Sequence, residues 1–332
     1  MSILVTGASG FIGTHLVQHL VQRGESVHLL CRPTSDLSIF KEREIRIFRG
    51  DILDPTSVER AMEGCDRVFH LAAYARNWSK EPQVYYEINV EGLKNIFEVA
   101  LKRSVKKVVF TSSSLTIGPS NGSIVNESAG LTDGFFTEYQ RSKYVAEKEV
   151  EKYVEKGLQV VTVNPTRVFG KGLLNEGNSV TKLIQLYLNG KWRIILGDGE
   201  AIGNYVFVED VVVGHLLAME KGRTGEKYLL GGENVAFKEF ISLLSELSNR
   251  YYWVFSIPPS LALAYSQLEK FRARWFNHYP MITPGWVRIF LHDWGYSCEK
   301  AERELGYRVT SLRKALKLTI QWLEQEKDEE TS

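Results

Sequence analysis

Short apolar runs rich in β-branched residues recur through the first half of the chain, at Ile3–Val5, Val27–Leu30, Ile45–Phe48, Val68–Leu71, Val108–Thr111 and Val160–Val163. Segments of helical periodicity lie between most of them: the stretch running to Val21, then Ser57–Met62, Val84–Lys102 and Tyr139–Lys156. Continuous apolar strands bounded by helices belong to a parallel sheet covered on both faces. Right-handed crossovers then predict a doubly wound α/β domain. Beyond about Phe169 the pattern is less regular, with one more strand–helix pair (Tyr205–Val208, Val211–Met219) and a helical C-terminus. The expected division is a sheet domain over 1–169, completed by part of 203–221. A smaller, mainly helical lobe follows over 170–326. The polar end is expected to be a frayed tail at 327–332.

Composition narrows the class. Of 332 residues, 44% are apolar and 24% charged, which suits a globular chain and excludes collagen-like or mainly disordered ones. Forty-one Lys and Arg face 40 Asp and Glu, so the net charge of +1 gives no support for a nucleic-acid groove or an anionic-membrane surface and leaves only a local basic patch open. Cys31, Cys65 and Cys298 form no CxxC, zinc set or disulfide framework, so no metal and a reducing, cytoplasmic setting are expected. The N-terminus lacks a basic n-region and its apolar run is broken by glycines, unlike a signal peptide. No 18-residue apolar stretch exists, so no membrane span is expected.

The first chemical signal is Gly7, Gly10 and Gly13, placed directly after the first strand and opening the first helix. Gly7 permits a tight turn, Gly10 lets backbone approach a pyrophosphate, and Gly13 allows close helix packing. The helix N-terminus then offers free N–H groups to the phosphates. A glycine-rich turn in a non-binding domain is the competing reading. Strand two ends Leu30-Cys31-Arg32-Pro33, where an NAD site usually has an acid. Arg32 instead suits a 2′-phosphate, which favours NADP and keeps NAD as the alternative; a solvated surface arginine is the bland reading. Asp51, after strand three, suits the adenine amino group, or equally a helix cap or turn.

The second signal is Tyr139-Gln-Arg-Ser-Lys143, which puts Tyr139 and Lys143 on one helical face. A nearby ammonium favours the phenolate and lowers a phenol pKa from about 10. Such a tyrosine exchanges a proton with a carbonyl or alcohol oxygen while hydride moves to or from nicotinamide. The spacing alone also describes an exposed helix face. Phe110-Thr111-Ser112-Ser113-Ser114 adds weight, because it ends a central strand, where ligands bind in open α/β sheets. A cap or turn is the structural alternative for these serines.

Together these residues resemble the extended short-chain dehydrogenase/reductase superfamily. TGASGFIG, His70-Leu-Ala-Ala73, Asn89-Val-Glu-Gly92, FTSSS, YQRSK and Asn164-Pro165 with Val168-Phe169-Gly170 occur in that family's order over nearly the whole chain. Asn204-Tyr-Val-Phe-Val-Glu-Asp210 and Gly231-Gly-Glu-Asn234 resemble its dihydroflavonol reductase-like and epimerase/dehydratase-like branch. The resemblance implies a Rossmann sheet with a substrate lobe. It implies Ser113, Tyr139 and Lys143 as the catalytic set, with Lys143 also a ribose ligand. It implies Gly7, Gly10, Phe11, Ile12, Gly13, Arg32, Asp51, Ile52, Leu71, Ala72, Ala73, Lys143 and Pro165 along the cofactor, and Asn89 as a structural bridge. The chain departs from the pattern in places. Ser112 and Ser113 stand where 4,6-dehydratases carry an Asp-Glu pair. Gly203 stands where sugar-nucleotide epimerases place an Arg that grips diphosphate. Asn164 replaces a commoner Arg.

Tyr74, Asn77, Trp78, Phe136 and Tyr205 are the expected substrate residues, an aromatic wall with few charges that suits a moderately apolar carbonyl compound. Core filling competes for each. Residues 251–290, dense in Trp, Tyr and Phe, read first as core, then as a lid, then as a subunit contact. The expected function is NADP(H)-dependent interconversion of a ketone or aldehyde and an alcohol. A nucleotide-sugar epimerase that retains its nicotinamide is one alternative, and a non-catalytic dinucleotide sensor is another. The expected partners are the small-molecule substrate and, as an open option, a second copy in a homodimer; no nucleic acid is expected.

Overall fold

A computed structural model describes residues 2–40, 45–131, 133–276 and 278–331. The six apolar runs form β1 (Ser2–Thr6), β2 (Val27–Cys31), β3 (Ile45–Arg49), β4 (Cys65–His70), β5 (Lys107–Thr111) and β6 (Val160–Pro165). Six more strands follow among the described residues: β7 (Arg167–Phe169), β8 (Ile194–Leu196), β9 (Ile202–Phe207), β10 (Lys227–Leu230), β11 (Glu233–Ala236) and β12 (Phe255–Ile257). The central sheet has seven strands in the order β10-β6-β5-β4-β1-β2-β3, all parallel. Successive residues of each strand serve opposite faces. Ile3, Val5, Phe69 and Val109 enter one core, and Leu4, Val68, Val108 and Phe110 enter the other. Burial on both sides is why the inner strands read as apolar runs, whereas the edge strand β3, Ile45–Arg49, is half-buried to exposed and carries Arg46 and Arg49.

The seventh strand is β10, not part of 203–221 as expected. That segment splits into β9, which pairs with β7 and β11 in a separate three-stranded sheet, and the helix Val208–Lys221. β9 is drawn away by Asn204, a buried side chain whose amide donates to the Gly232 carbonyl and to Asn234 Oδ1. β10 has Tyr228, Leu229 and Leu230 fully buried, but it is only four residues long and stands between glycines. The expected helix 84–102 is interrupted by a π-helical turn, Glu87–Glu91, between Gln83–Tyr86 and Gly92–Lys102. Residues 327–331 continue the backbone of the helix Leu312–Thr331, whose Leu312, Ala315, Leu316, Ile320 and Leu323 are buried, and position 332 lies outside the described residues. The aromatic stretch expected first as core is largely at the surface: Trp253, Trp275, Phe276 and Met281 are 84%, 69%, 74% and 82% exposed.

Glu209 ties the second half of the fold to the first helix, Phe11–Gln22. Its carboxylate lies 3.4 Å from His15 Nδ1, 2.8 Å from His19 Nε2 and 3.5 Å from Lys171 Nζ. Hydrogen bonds from His15 and His19, together with the nearby cations, hold its pKa down at about 2 against an ordinary 4.5. A depressed carboxylate stabilises the fold fully above its unfolded pKa, and that contribution disappears as pH falls through the folded value. Glu209→Gln should therefore lower the melting temperature at neutral pH and weaken the acid dependence between about pH 4.5 and 2. Melting curves across that range, on wild type and variant, check both.

Candidate active site

The glycine loop is built by close approach. Gly7 has φ +74°, and a Cβ there would lie 2.6 Å from the Leu71 carbonyl carbon and the Ala72 nitrogen. The loop therefore presses on the chain leaving β4, which is fixed by Leu71 N–H donating to the Thr6 carbonyl at 3.1 Å and Ala72 N–H donating to Thr6 Oγ1 at 3.3 Å. A Cβ on Gly13 would overlap the Gly7 carbonyl oxygen. At Gly10 a Cβ would meet, among the described residues, only that same oxygen, at 3.1 Å, so this side of the loop is open. Gly10 is the N-cap of the first helix, with no side chain capping it, so the first-turn N–H groups face outward unpaired by a cap. This cradle fits a pyrophosphate.

Around it, Phe11 is buried and Ile12 half-buried in the first turn, while Leu71, Ala72 and Ala73 are half-buried beyond β4. Pro165 is buried at the end of β6. Ile52 is buried under Gly92, where a Cβ would stand 2.6 Å from Ile52 Cδ1. Asp51 makes a turn, its Oδ1 accepting from Leu53 N–H at 3.0 Å, and the cap of the following helix is Asp54. Arg32 is exposed at the end of β2. Sequence reading missed its neighbour Arg49, opposite Cys31 in the β2–β3 register, whose guanidinium donates to the Arg32 carbonyl at 3.0 Å and the Ser35 carbonyl at 2.9 Å. Two guanidinium groups thus stand at the strand end that lacks an acid.

The helix Glu138–Glu155 starts at Thr137, whose hydroxyl caps Gln140 N–H at 3.1 Å. Its four-residue spacing sets Tyr139, Lys143 and Glu147 on one face. Tyr139 lies beside Ser113. Burial pushes its phenol up to about 12, and the Ser113 hydroxyl pulls the other way. Lys143 is expected from its spacing to hold that phenol down, yet its ammonium is turned onto the Thr111 carbonyl at 2.7 Å and lies 4.5 Å from the Phe110 ring centre. Burial lowers the Lys143 pKa to about 7, opposed by the negative charge of Glu147. His70 is fully buried, paired at Nδ1 with Thr6 Oγ1 at 2.8 Å; burial, then the Lys143 charge, drops its pKa to about 3 and keeps it neutral.

Glu147 carries a role that sequence reading missed. It is buried, and Oε1 accepts from Ser112 Oγ at 2.5 Å, Thr116 Oγ1 at 2.7 Å and Asn164 Nδ2 at 2.8 Å. Oε2 accepts from Lys227 Nζ at 2.6 Å. Asn164 Nδ2 also donates to the Ser113 carbonyl at 3.0 Å, so the residue replacing an arginine completes this network. Asn89, from the π-helical turn, joins Tyr74 to the same helix: its Oδ1 accepts from Tyr74 N–H at 2.7 Å and its Nδ2 donates to Ser142 Oγ at 2.8 Å.

Of the expected substrate residues, Tyr74 packs edge-on against Tyr85 and Trp78 edge-on against Tyr279. Asn77 N–H donates to Glu176, which also accepts from the Tyr279 hydroxyl. Phe136 packs on His292 and Trp294 just before the Tyr139 helix. Tyr205 is buried in the three-stranded sheet and stacks on Phe240 at 4.4 Å. Gly203 was expected to remove a cation from its neighbourhood. Instead it makes room for one: a Cβ there would lie 2.6 Å from Arg167 Nη1. That guanidinium comes from β7, donates to the Tyr205 hydroxyl at 3.2 Å, and makes no ion pair among the described residues.

The model of the NAD dependent epimerase/dehydratase family matches residues 3–231. Sterol demethylase protein B of Methylococcus capsulatus is 31% identical, over 97% of this chain and 98% of its own. Cinnamoyl-CoA reductase 1 of Petunia hybrida is 31% identical over 75% and 78%. Among solved structures, the UDP-glucose 4-epimerase of Thermotoga maritima with UDP-glucose superposes with TM-score 0.81 at 26% identity, covering 98% of this chain and 99% of that one.

Replacing the Glu147 carboxylate leaves Lys227 without its counter-charge and puts an amide donor among four donors. Glu147→Gln should destabilise the fold by about 3 kcal/mol, the scale for breaking a buried ion pair from one side. Urea titration of both proteins measures it; a change of under about 0.5 kcal/mol, the level of a surface substitution, contradicts the network.

Proposed function

The chain belongs to the NAD-dependent epimerase/dehydratase family, and within it we propose that this member is an NADP(H)-dependent oxidoreductase interconverting a ketone or aldehyde and an alcohol. The observation that carries the reading is the placement of Ser113 beside Tyr139 at the end of β5, where it lowers the phenol pKa against burial, with Lys143 one helical turn further along the Tyr139 face. The dinucleotide supplies or accepts the hydride. Gly7, Gly10 and Gly13 would hold its pyrophosphate, Arg32 its 2′-phosphate, and Asp51, Ile52, Leu71, Ala72, Ala73 and Pro165 would line the rest. A substrate carbonyl oxygen would accept hydrogen bonds from Ser113 and Tyr139, and Tyr139 would give up its proton as the oxygen gains charge. Burial keeps the phenol protonated near neutral pH but makes it a weaker acid, so proton transfer depends on the charge developing on the substrate oxygen and on a nearby cation. Lys143, buried and partly discharged near neutrality, would gain a ligand on reaching the ribose, which favours its charged form and so eases ionisation of Tyr139. The three buried free thiols suit the reducing cytoplasm expected from the sequence.

Arg167 supports a second reading, the epimerase, because its guanidinium beside Gly203, without a carboxylate partner among the described residues, offers the cation that a diphosphate would need. An epimerase retains its nicotinamide through isolation, whereas the reductase exchanges it, so the absorbance of the purified protein separates them.

Tyr139→Phe should keep dinucleotide affinity and lose about 10²-fold or more in turnover with a carbonyl substrate, the scale of a general acid. Turnover near wild type would remove Tyr139 from the mechanism. Arg32→Ala should weaken NADPH by about tenfold or more while leaving NADH within about twofold, since only the former carries the 2′-phosphate to which a charge-assisted bond is made. Fluorescence titration with both dinucleotides decides it, and equal losses would place Arg32 elsewhere.

A further inference from the structure

Of the 21 large apolar side chains exposed among the described residues, 11 fall within residues 251–281. The helix Pro259–Phe276 organises them. Its buried residues are small or polar: Ala262, Ser266, Glu269 and Ala273. Its exposed stripe is Leu261, Tyr265, Leu268, Phe271, Trp275 and Phe276, which spans about 140° of arc at 3.6 residues per turn. The helix is thus turned inside out relative to a core-facing one: its small side chains face the protein, and its large apolar ones face outward. The extended run entering it exposes Tyr251, Trp253 and Phe255, and Met281 stands exposed beyond it. Exposed apolar surface on this scale marks an interaction site.

Charge distinguishes the occupants. Residues 251–292 hold four basic residues, Lys270, Arg272, Arg274 and Arg288, against one acid, Glu269, while the whole chain is nearly neutral at +1. Glu269 is buried 3.0 Å from Arg272 and 3.4 Å from His278 and offsets the Arg272 charge, so Lys270, Arg274 and Arg288 are the cations of this stretch with no carboxylate partner among the described residues. A two-fold contact with a second copy would set this cationic face against itself. An anionic bilayer is complementary to it. Trp and Tyr beside Lys and Arg are also the residues that settle at the headgroup boundary.

We propose that the outward face of the helix Pro259–Phe276 and its flanking residues is a docking surface for an anionic lipid bilayer, on which the protein lies without crossing it. No helix among the described residues is long and apolar enough to span a membrane. The stripe, with exposed Arg272 inside its arc and exposed Arg274 on its flank, fits a helix lying in the interfacial plane. The surface runs up to Tyr279, whose ring packs on Trp78, so docking would bring the expected substrate residues close to the bilayer.

Cosedimentation of the full chain with vesicles tests this, using phosphatidylcholine alone and phosphatidylcholine mixed with phosphatidylglycerol. Binding to the mixed vesicles should be about tenfold or more the stronger, and should weaken with added salt. Trp275→Ser combined with Phe276→Ser should reduce it by about tenfold or more. Arg274→Glu should weaken the preference for the anionic lipid. All three side chains are exposed, and circular dichroism melting confirms that the variants fold. Failure to bind either vesicle overturns the proposal, as does binding that neither variant alters. A dimer in light scattering that Trp275→Ser/Phe276→Ser converts to monomer, without vesicle binding, assigns the face to a second copy instead.

Discussion

One buried carboxylate holds the chemistry of this fold in place. Glu147 sits two turns beyond Tyr139 on the same helix and receives four donors from three other parts of the chain: the strand-end serine segment, β6 and β10. The positions of Ser113 and Tyr139 relative to each other follow from that junction. Ser112 and Thr116 bracket Ser113 and both donate to Glu147, and Asn164 donates at once to the Ser113 carbonyl and to Glu147. A buried charge is tolerated only when its lone pairs are satisfied and a counter-charge is near. Lys227 and the three neutral donors meet that condition, and in doing so they fix the strand end against the helix.

The same carboxylate shapes the electrostatics. Burial alone would strip the charge from Lys143, and Glu147 opposes that, leaving the ammonium with a pKa of about 7. Lys143 is therefore a group whose charge responds to what it touches, and a ligand atom competing with the Thr111 carbonyl would change it. Tyr139, with its phenol pushed up to about 12, keeps its proton at neutral pH, and a neighbouring cation would be needed to ease its release. The neutral His70 below them adds no competing charge. The glycine loop after β1 is positioned by backbone contact with the chain leaving β4, so it and the serine segment after β5 lie at the same carboxyl-terminal end of the parallel sheet.

Much of this was legible in the sequence because it depends on local patterns. The inner strands are visible as apolar runs, since burial on both faces removes polar positions, and the edge strand β3 shows itself by its alternating Ile45, Ile47 and Arg46, Arg49. The glycine triplet and the Tyr139–Lys143 spacing are local in the same way. β10 was not legible: KYLL is short, and its place beside β6 is decided by a long excursion through the second lobe. Glu147 carried a signal, being the third residue on the Tyr139–Lys143 face, but acids on helices are mostly solvated, and its partner Lys227 is 80 residues away. Arg167 filling the space of Gly203 depends on the register of β7 against β9, which no pattern in either segment discloses. The stretch 251–281 misled in the opposite direction. Its aromatic density reads as core, whereas the small residues on the buried side of its helix are what determine how it packs.

Hydride transfer itself tests the account most directly. NADPH carrying deuterium at the transferable position of C4 should be offered with a panel of ketones and aldehydes, and the products examined by mass spectrometry. The account predicts net oxidation of NADPH with one deuterium bonded to carbon in the alcohol formed, and NADP⁺ released to solution. A dinucleotide that stays bound, with no net oxidation and with label exchanged only through a sugar nucleotide, would contradict it.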